Sequence, residues 1–253
     1  AQPHLSLYLD NFSIPNVGNN SFSHMLEHNR DMLKEHMKGI DVSMARSIIL
    51  PVYQADFDAR PTEQSFGRGP REKYATKKAK EIFEKFPAPW LVRPALTDAS
   101  RGKSLTADPN MGIHVAKTFP QLIDAISDGV EHKTSILVQE LMGDKVASMH
   151  SLSDFRNEDV YSFPPRNYFV DSTYNFSPKE KEELSTIVKK IHSHIKANHY
   201  LKSEFVIDRR GKVHLLGIES MPNLHENSGF KNACESVGTK MHHVVEHILN
   251  KSL

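Results

Sequence analysis

Residues 203–220, SEFVIDRRGKVHLLGIES, decide the fold class. Two apolar, β-branched runs flank Arg209–Lys212, a polar tetrapeptide containing Gly211, which is the pattern of a β-hairpin. Side chains on a strand alternate between faces. If Glu204 lies opposite Gly217, then Glu204, Val206 and Asp208 share a face with Leu215, Gly217 and Glu219. Phe205, Ile207, Leu216 and Ile218 fill the opposite, buried face. Glu204 and Glu219 then project together from neighbouring strands. Two carboxylates brought together on one face can hold a cation. The ordinary alternative is two solvated charges on an exposed sheet face.

Working outward, residues 177–200 read as a helix with a Ser177 cap, Pro178 at its first position and a stripe of Leu184, Ile187, Val188, Ile191 and Ile195. SILVQELM (135–142) and VASMHSLSD (146–154) read as strands, the second alternating like a half-exposed one. GIHVAK (112–117) is a strand, and 118–132 an amphipathic helix carrying Leu122, Ile123, Ile126 and Val130. A basic helix, 73–86, precedes the short buried strand PWLVRP (89–94). SIILPVY (47–53) is β-rich, and 29–39 is a helix that Gly39 ends. The polar stretches 54–72, 96–110 and 162–176 read as loops, and 239–251 as a last helix. Helices and strands mixed with an antiparallel hairpin give an α+β or mixed α/β class.

Composition narrows the function classes. A formal net charge of +1 gives no bulk-charge drive toward nucleic acid or membrane. No apolar run approaches the roughly 20 residues that span a bilayer. The single cysteine, Cys234, excludes an intrachain disulfide and fits a reducing, cytoplasmic setting. The opening AQPHLSLYLDNFSIPNVG has no initiator Met and no signal peptide, and reads as the interior of a protein, so a fragment or a processed chain is expected. One rival motif, His243-Val-Val-Glu246-His247, matches the H-x-x-E-H spacing of a zinc peptidase, but it stands near the chain's end among 15 histidines, where chance spacing is the simpler account.

Four segments, taken in order, resemble the ATP-grasp superfamily and its D-alanine–D-alanine ligase branch. These are NRDMLKEHMKG, LVRP with TDASRGKS, ILVQELMGDKVASMHSL, and SEFVIDRRGKVHLLGIESMPNLHENSGF. The similarity runs from about residue 12 onward. It implies two α+β lobes around a nucleotide cleft, with only the last turn of the family's N-terminal subdomain, NFSIPNVG, represented. The implied division is a remnant at 1–25, a central lobe at 26–142 and a C-terminal lobe at 143–253. The implied activity is ATP-dependent ligation of a carboxylate to an amine through an acyl phosphate. ATP and Mg²⁺ are the implied cofactors. A small amino acid or peptide is the substrate, with no nucleic-acid or membrane partner and a homodimer as the compatible assembly. A degenerate relative that binds nucleotide or a partner without ligation is the alternative.

The resemblance also distributes roles. Arg30 and Arg93 stand where the family has phosphate-binding lysines, and Ser100 and Gly102 stand in its phosphate loop, although Asp98 and Ala99 replace that loop's first glycine and serine. Gln139, Glu140, Leu141 and Met142 would line the adenine pocket, and Lys145 falls on the ribose-binding glutamate. Glu204 and Glu219 are the metal-ligand candidates, while Gly217 takes the place of the family's bridging carboxylate. Lys202 matches an arginine that contacts the reacting groups, and Ser228 a serine that binds the substrate carboxylate. The segment 164–175 lacks the family's lid Lys-Tyr pair.

Overall fold

The computed structural model describes residues 3–54, 69–95, 112–169 and 174–252. It divides into two compact units, one made of residues 45–142 and the other of residues 1–44 together with 143–253. The expected division grouped 26–44 with the central lobe. In the structure Leu26, Leu33, Met37 and Val42 instead pack into the core of the discontinuous unit. Each unit is described separately.

In the unit 45–142 a four-stranded antiparallel sheet has the order β1-β4-β2-β3, where β1 is Ser47–Leu50, β2 Trp90–Pro94, β3 His114–Ala116 and β4 Ile136–Glu140. Its helices are α4 (Pro70–Lys85) and α5 (Phe119–Glu131). The start of α5 is fixed by a capping box in which Thr118 and Gln121 satisfy each other's backbone donors. Leu122, Ile126 and Val130 then face Trp90, Val92, Ile136 and Val138 in one core, which Ala75, Ala79 and Ile82 of α4 complete.

The other unit is built on a sheet of order β6-β5-β8-β9, with β7 also pairing β5. Here β5 is Lys145–Phe155, β6 Glu158–Ser162, β7 Arg166–Asn167, β8 Tyr200–Ile207 and β9 Val213–Glu219. Helix α6 (Pro178–His194) begins with a Ser177–Glu180 capping box. It ends earlier than its apolar stripe suggested: Ile195 is the C-cap, and Lys196 takes a left-handed φ of 50° that turns the chain into β8. Leu184, Val188, Ile191 and Ile195 cover one sheet face together with residues of α2 (Ser21–His28) and α3 (Arg30–Gly39). Two further helices, α7 (Gly229–Ser236) and α8 (Met241–Ser252), cover part of the other face, and α1 spans Pro3–Asn11.

The β8–β9 hairpin forms with Glu204 opposite Gly217 and Lys202 opposite Glu219. Its register then shifts between Glu204 and Phe205, so that Phe205 faces Leu215 and Leu216 is the extra residue of a β-bulge. This corrects the expected faces. Leu215 lies in the core under α3 and α6 beside Phe205, not on the face of Glu204. The Leu216 carbonyl accepts a hydrogen bond from the Arg30 guanidinium.

Candidate active site

Residues paired directly across an antiparallel ladder share a face. On the face away from α6 the pairing therefore sets Ser148, His150 and Leu152 of β5 beside Glu204, Lys202 and Tyr200 of β8, with Gly217 and Glu219 of β9 next to them. The face changes character along its length. At one end Leu152 and Tyr200 are sealed by Phe230, Ala233 and Cys234 of α7 and by Val244 and Ile248 of α8. Charges gather at the other.

His150 stands at the boundary. Its Nδ1 is 2.7 Å from the Tyr200 hydroxyl, and its ring packs 5.4 Å from that of Phe230. Its pKa is lowered to about 3, first by burial and also by Lys202 and Arg166, against the pull of Glu204. The first turn of α7 lies against it: a Cβ on Gly229 would come within 3.9 Å of His150 Nε2. Just before that turn, Ser228 caps α7, its hydroxyl accepting from the Lys231 N–H at 3.2 Å.

Lys202 is the centre of the charged end. Its Nζ lies 2.7 Å from Glu204 Oε1 and 3.0 Å from Glu219 Oε1. Burial by itself lowers an ammonium's pKa, yet the two carboxylates outweigh it and hold Lys202 well above the usual lysine value. Tyr168 places its ring 6.0 Å from the same ammonium. Beyond Glu219 the strand end is pinned by α2. Glu27 accepts from both the backbone N–H and the hydroxyl of Ser220, and His24 Nδ1 is 2.9 Å from that hydroxyl.

Other sequence-derived candidates are placed differently. Lys145 pairs with Ile207, whose side chain belongs to the core under α6, so it projects from the face opposite Lys202. Its ammonium holds both carboxylate oxygens of Glu180, at 2.8 and 2.9 Å, at the start of α6. Arg30 is tied to the β9 bulge. In the unit 45–142, Arg93 Nε donates to Gln139 Oε1 at 3.0 Å, and the buried Glu140 takes a two-pronged bond from Arg46, both contacts at 2.7 Å. Leu141 is buried with its N–H on the Pro89 carbonyl at 2.9 Å, and Met142 is half-buried. Ser100 and Gly102 lie outside the described residues. In the rival zinc motif, His247 donates to the Ser153 carbonyl at 3.0 Å.

Sequence reading did not single out Arg46, His150, Arg166, Tyr168 or Tyr200. Only His150 had a local signal, as a polar residue within the alternation of 146–154.

The two antiparallel α+β units define an ATP-grasp fold. The chain belongs to the family described as D-ala D-ala ligase C-terminus, whose sequence model matches residues 63–250. Among curated relatives, the D-alanine–D-alanine ligase of Vesicomyosocius okutanii is 25% identical over an alignment of 176 residues that covers 66% of this chain and 57% of that protein. The chain thus spans little more than half of that relative's length. The D-alanine–D-alanine ligase of Coxiella burnetii matches in structure with a TM-score of 0.65 at 12% identity, covering 99% of this chain and 64% of that one. The Bacillus anthracis enzyme, solved in complex with ATP, matches at 0.64 with 12% identity, over 99% and 73% of the two chains.

Proposed function

We propose that this chain carries the ligation chemistry of an ATP-dependent carboxylate–amine ligase acting on a small amino acid or peptide. The observation that supports it is the cluster of Lys202, Glu204 and Glu219 on one sheet face, with the Ser228 cap and the α7 N-terminus against neighbouring His150. ATP would supply the phosphoryl group that makes a carboxylate an acyl phosphate, from which an amine nitrogen then displaces phosphate to leave an amide.

Lys202 would supply positive charge where phosphoryl oxygens accumulate negative charge. The α7 N-terminus, with backbone donors and the positive end of its dipole, would orient a substrate carboxylate. His150, uncharged at neutral pH, adds no competing charge there. Arg93 is proposed as a phosphate contact. Gln139, Leu141 and Met142 are proposed for the base, Glu140 being held by Arg46.

The residues present do not fit a free Mg²⁺. Two carboxylates face the position, both engaged by Lys202, and Gly217 brings no third. Among the described residues no group of three or more His, Cys, Asp or Glu side chains is arranged to hold a metal ion. The same observation favours the second reading, a relative that binds nucleotide without ligating.

Phosphate release from ATP in the presence of D-alanine and related amino acids tests the proposal. Amino-acid-dependent release that Lys202→Met abolishes supports the ligase. Nucleotide binding without release under any amino acid would establish the second reading instead.

A further inference from the structure

The carboxylates that a metal would need already have a cation between them. Lys202 Nζ is 2.7 Å from Glu204 in a close ion pair and donates a hydrogen bond to Glu219 at 3.0 Å. Glu204 is only 2% exposed, so water offers little exchange for that contact. An ammonium has three donors and no acceptor; here it donates to Glu219 and its charge faces Glu204 at ion-pair distance. A divalent ion entering the pair must break both contacts and then sit beside the displaced ammonium, a like charge. Mg²⁺ also dehydrates reluctantly and demands near-octahedral oxygen ligation. Opposite Glu204 stands Gly217, which contributes no further oxygen from a side chain.

We infer that Lys202 is a built-in counter-cation that closes the Glu204–Glu219 pair to free divalent metal ions. The carboxylates are balanced within the hairpin itself, and the site keeps its charge without an ion from solution. A polyphosphate that draws the ammonium off the carboxylates opens the pair, so metal and polyphosphate bind with positive coupling. This coupling rests on the nucleotide reading above. The closure of the pair does not.

Mn²⁺ serves as the probe, its free and bound forms counted by electron paramagnetic resonance on the full chain. The unmodified chain should show no saturable binding at millimolar Mn²⁺. Lys202→Met, which removes the charge and keeps an apolar stem of similar length, should bind Mn²⁺ at least tenfold more tightly. Adding Glu204→Gln to that variant should abolish the gain. Saturable binding by the unmodified chain that Glu204→Gln removes overturns the inference, and this arm stands even if Lys202→Met fails to fold. Equal affinity of the double variant and Lys202→Met overturns it as well. A third arm repeats the unmodified titration with a non-hydrolysable ATP analogue. Metal uptake there supports the coupling, whereas none, with Lys202→Met binding Mn²⁺ alone, counts against the nucleotide reading and leaves the counter-cation in place.

Discussion

His150 and His192 are uncharged in the folded protein at neutral pH, and both must gain a proton on acid unfolding. Burial pushes His150 down to about 3 and His192 to about 4, the latter held between the hydroxyls of Ser151 and Ser153 at 2.8 Å each. The unfolded chain therefore binds more protons than the native one from about pH 6.5 downward, and stability falls as pH drops toward the folded values. At about 1.4 kcal/mol per pKa unit, His150 alone accounts for a loss on the order of 3 kcal/mol by pH 4. Urea titrations at pH 7 and pH 4.5 should show a large drop, reduced in His150→Gln. An unchanged pH dependence in that variant would show that His150 is accessible to protons in the fold. At the Lys202 cluster, Glu204→Ala strands a partly buried ammonium with one carboxylate. Breaking a buried pair costs about 3–5 kcal/mol, and retention of Glu219 places this variant at the lower end. Denaturation by urea measures it, and a change under about 0.5 kcal/mol, as for an ordinary surface site, would contradict the buried geometry.

Elements depend on two backbone details. Gly143 enters β5 so close to the end of β8 that an added Cβ would lie 1.9 Å from the Ile207 carbonyl oxygen. Gly143→Ala must push β5 and β8 apart, at a cost of about 1–3 kcal/mol or more. Faster exchange of the β5–β8 amides, from weakened or lost protection, would accompany it, and native protection would show that the strands have slack. The other detail is the Leu216 bulge, and it marks the limit of what the residues reveal. The supposed register of Glu204 opposite Gly217 is the one formed, and alternation from it placed Glu204 and Glu219 on one face, because those pairs lie on the regular side of the hairpin. One extra residue then inverted Leu215 and Leu216, and nothing in VHLLGIE marks which leucine is unpaired. Helix α6 was legible from its Ser177 cap and Pro178, and α5 from its apolar stripe, with the Thr118 capping box seen only in the structure. Helix α7 was missed although Ser228 caps it, since its eight residues carry too short an apolar stripe. Of the site, the residues of the hairpin could be read. The distant clasp of Arg46 on Glu140 and the placement of Lys145 against Glu180 could not, because each is a contact between elements far apart in sequence; the partnership of Lys202 with both carboxylates lies within the hairpin and depends on side-chain conformations that alternation does not set.

At the scale of the molecule, each unit has a core drawn entirely from its own residues. Residues 45–142 form the continuous one, so that segment alone should unfold cooperatively in urea with dispersed amide resonances. A collapsed, non-cooperative fragment would mean that its sheet needs the rest of the chain. The proposed function requires that this fold bind nucleotide despite its altered positions. Calorimetric titration of the full chain with Mg-ATP tests it most directly. Saturable binding is expected, weakened in Arg93→Ala by about 1.5–3 kcal/mol, the range for a charged hydrogen-bond donor. No heat and no thermal shift at millimolar ATP would contradict it.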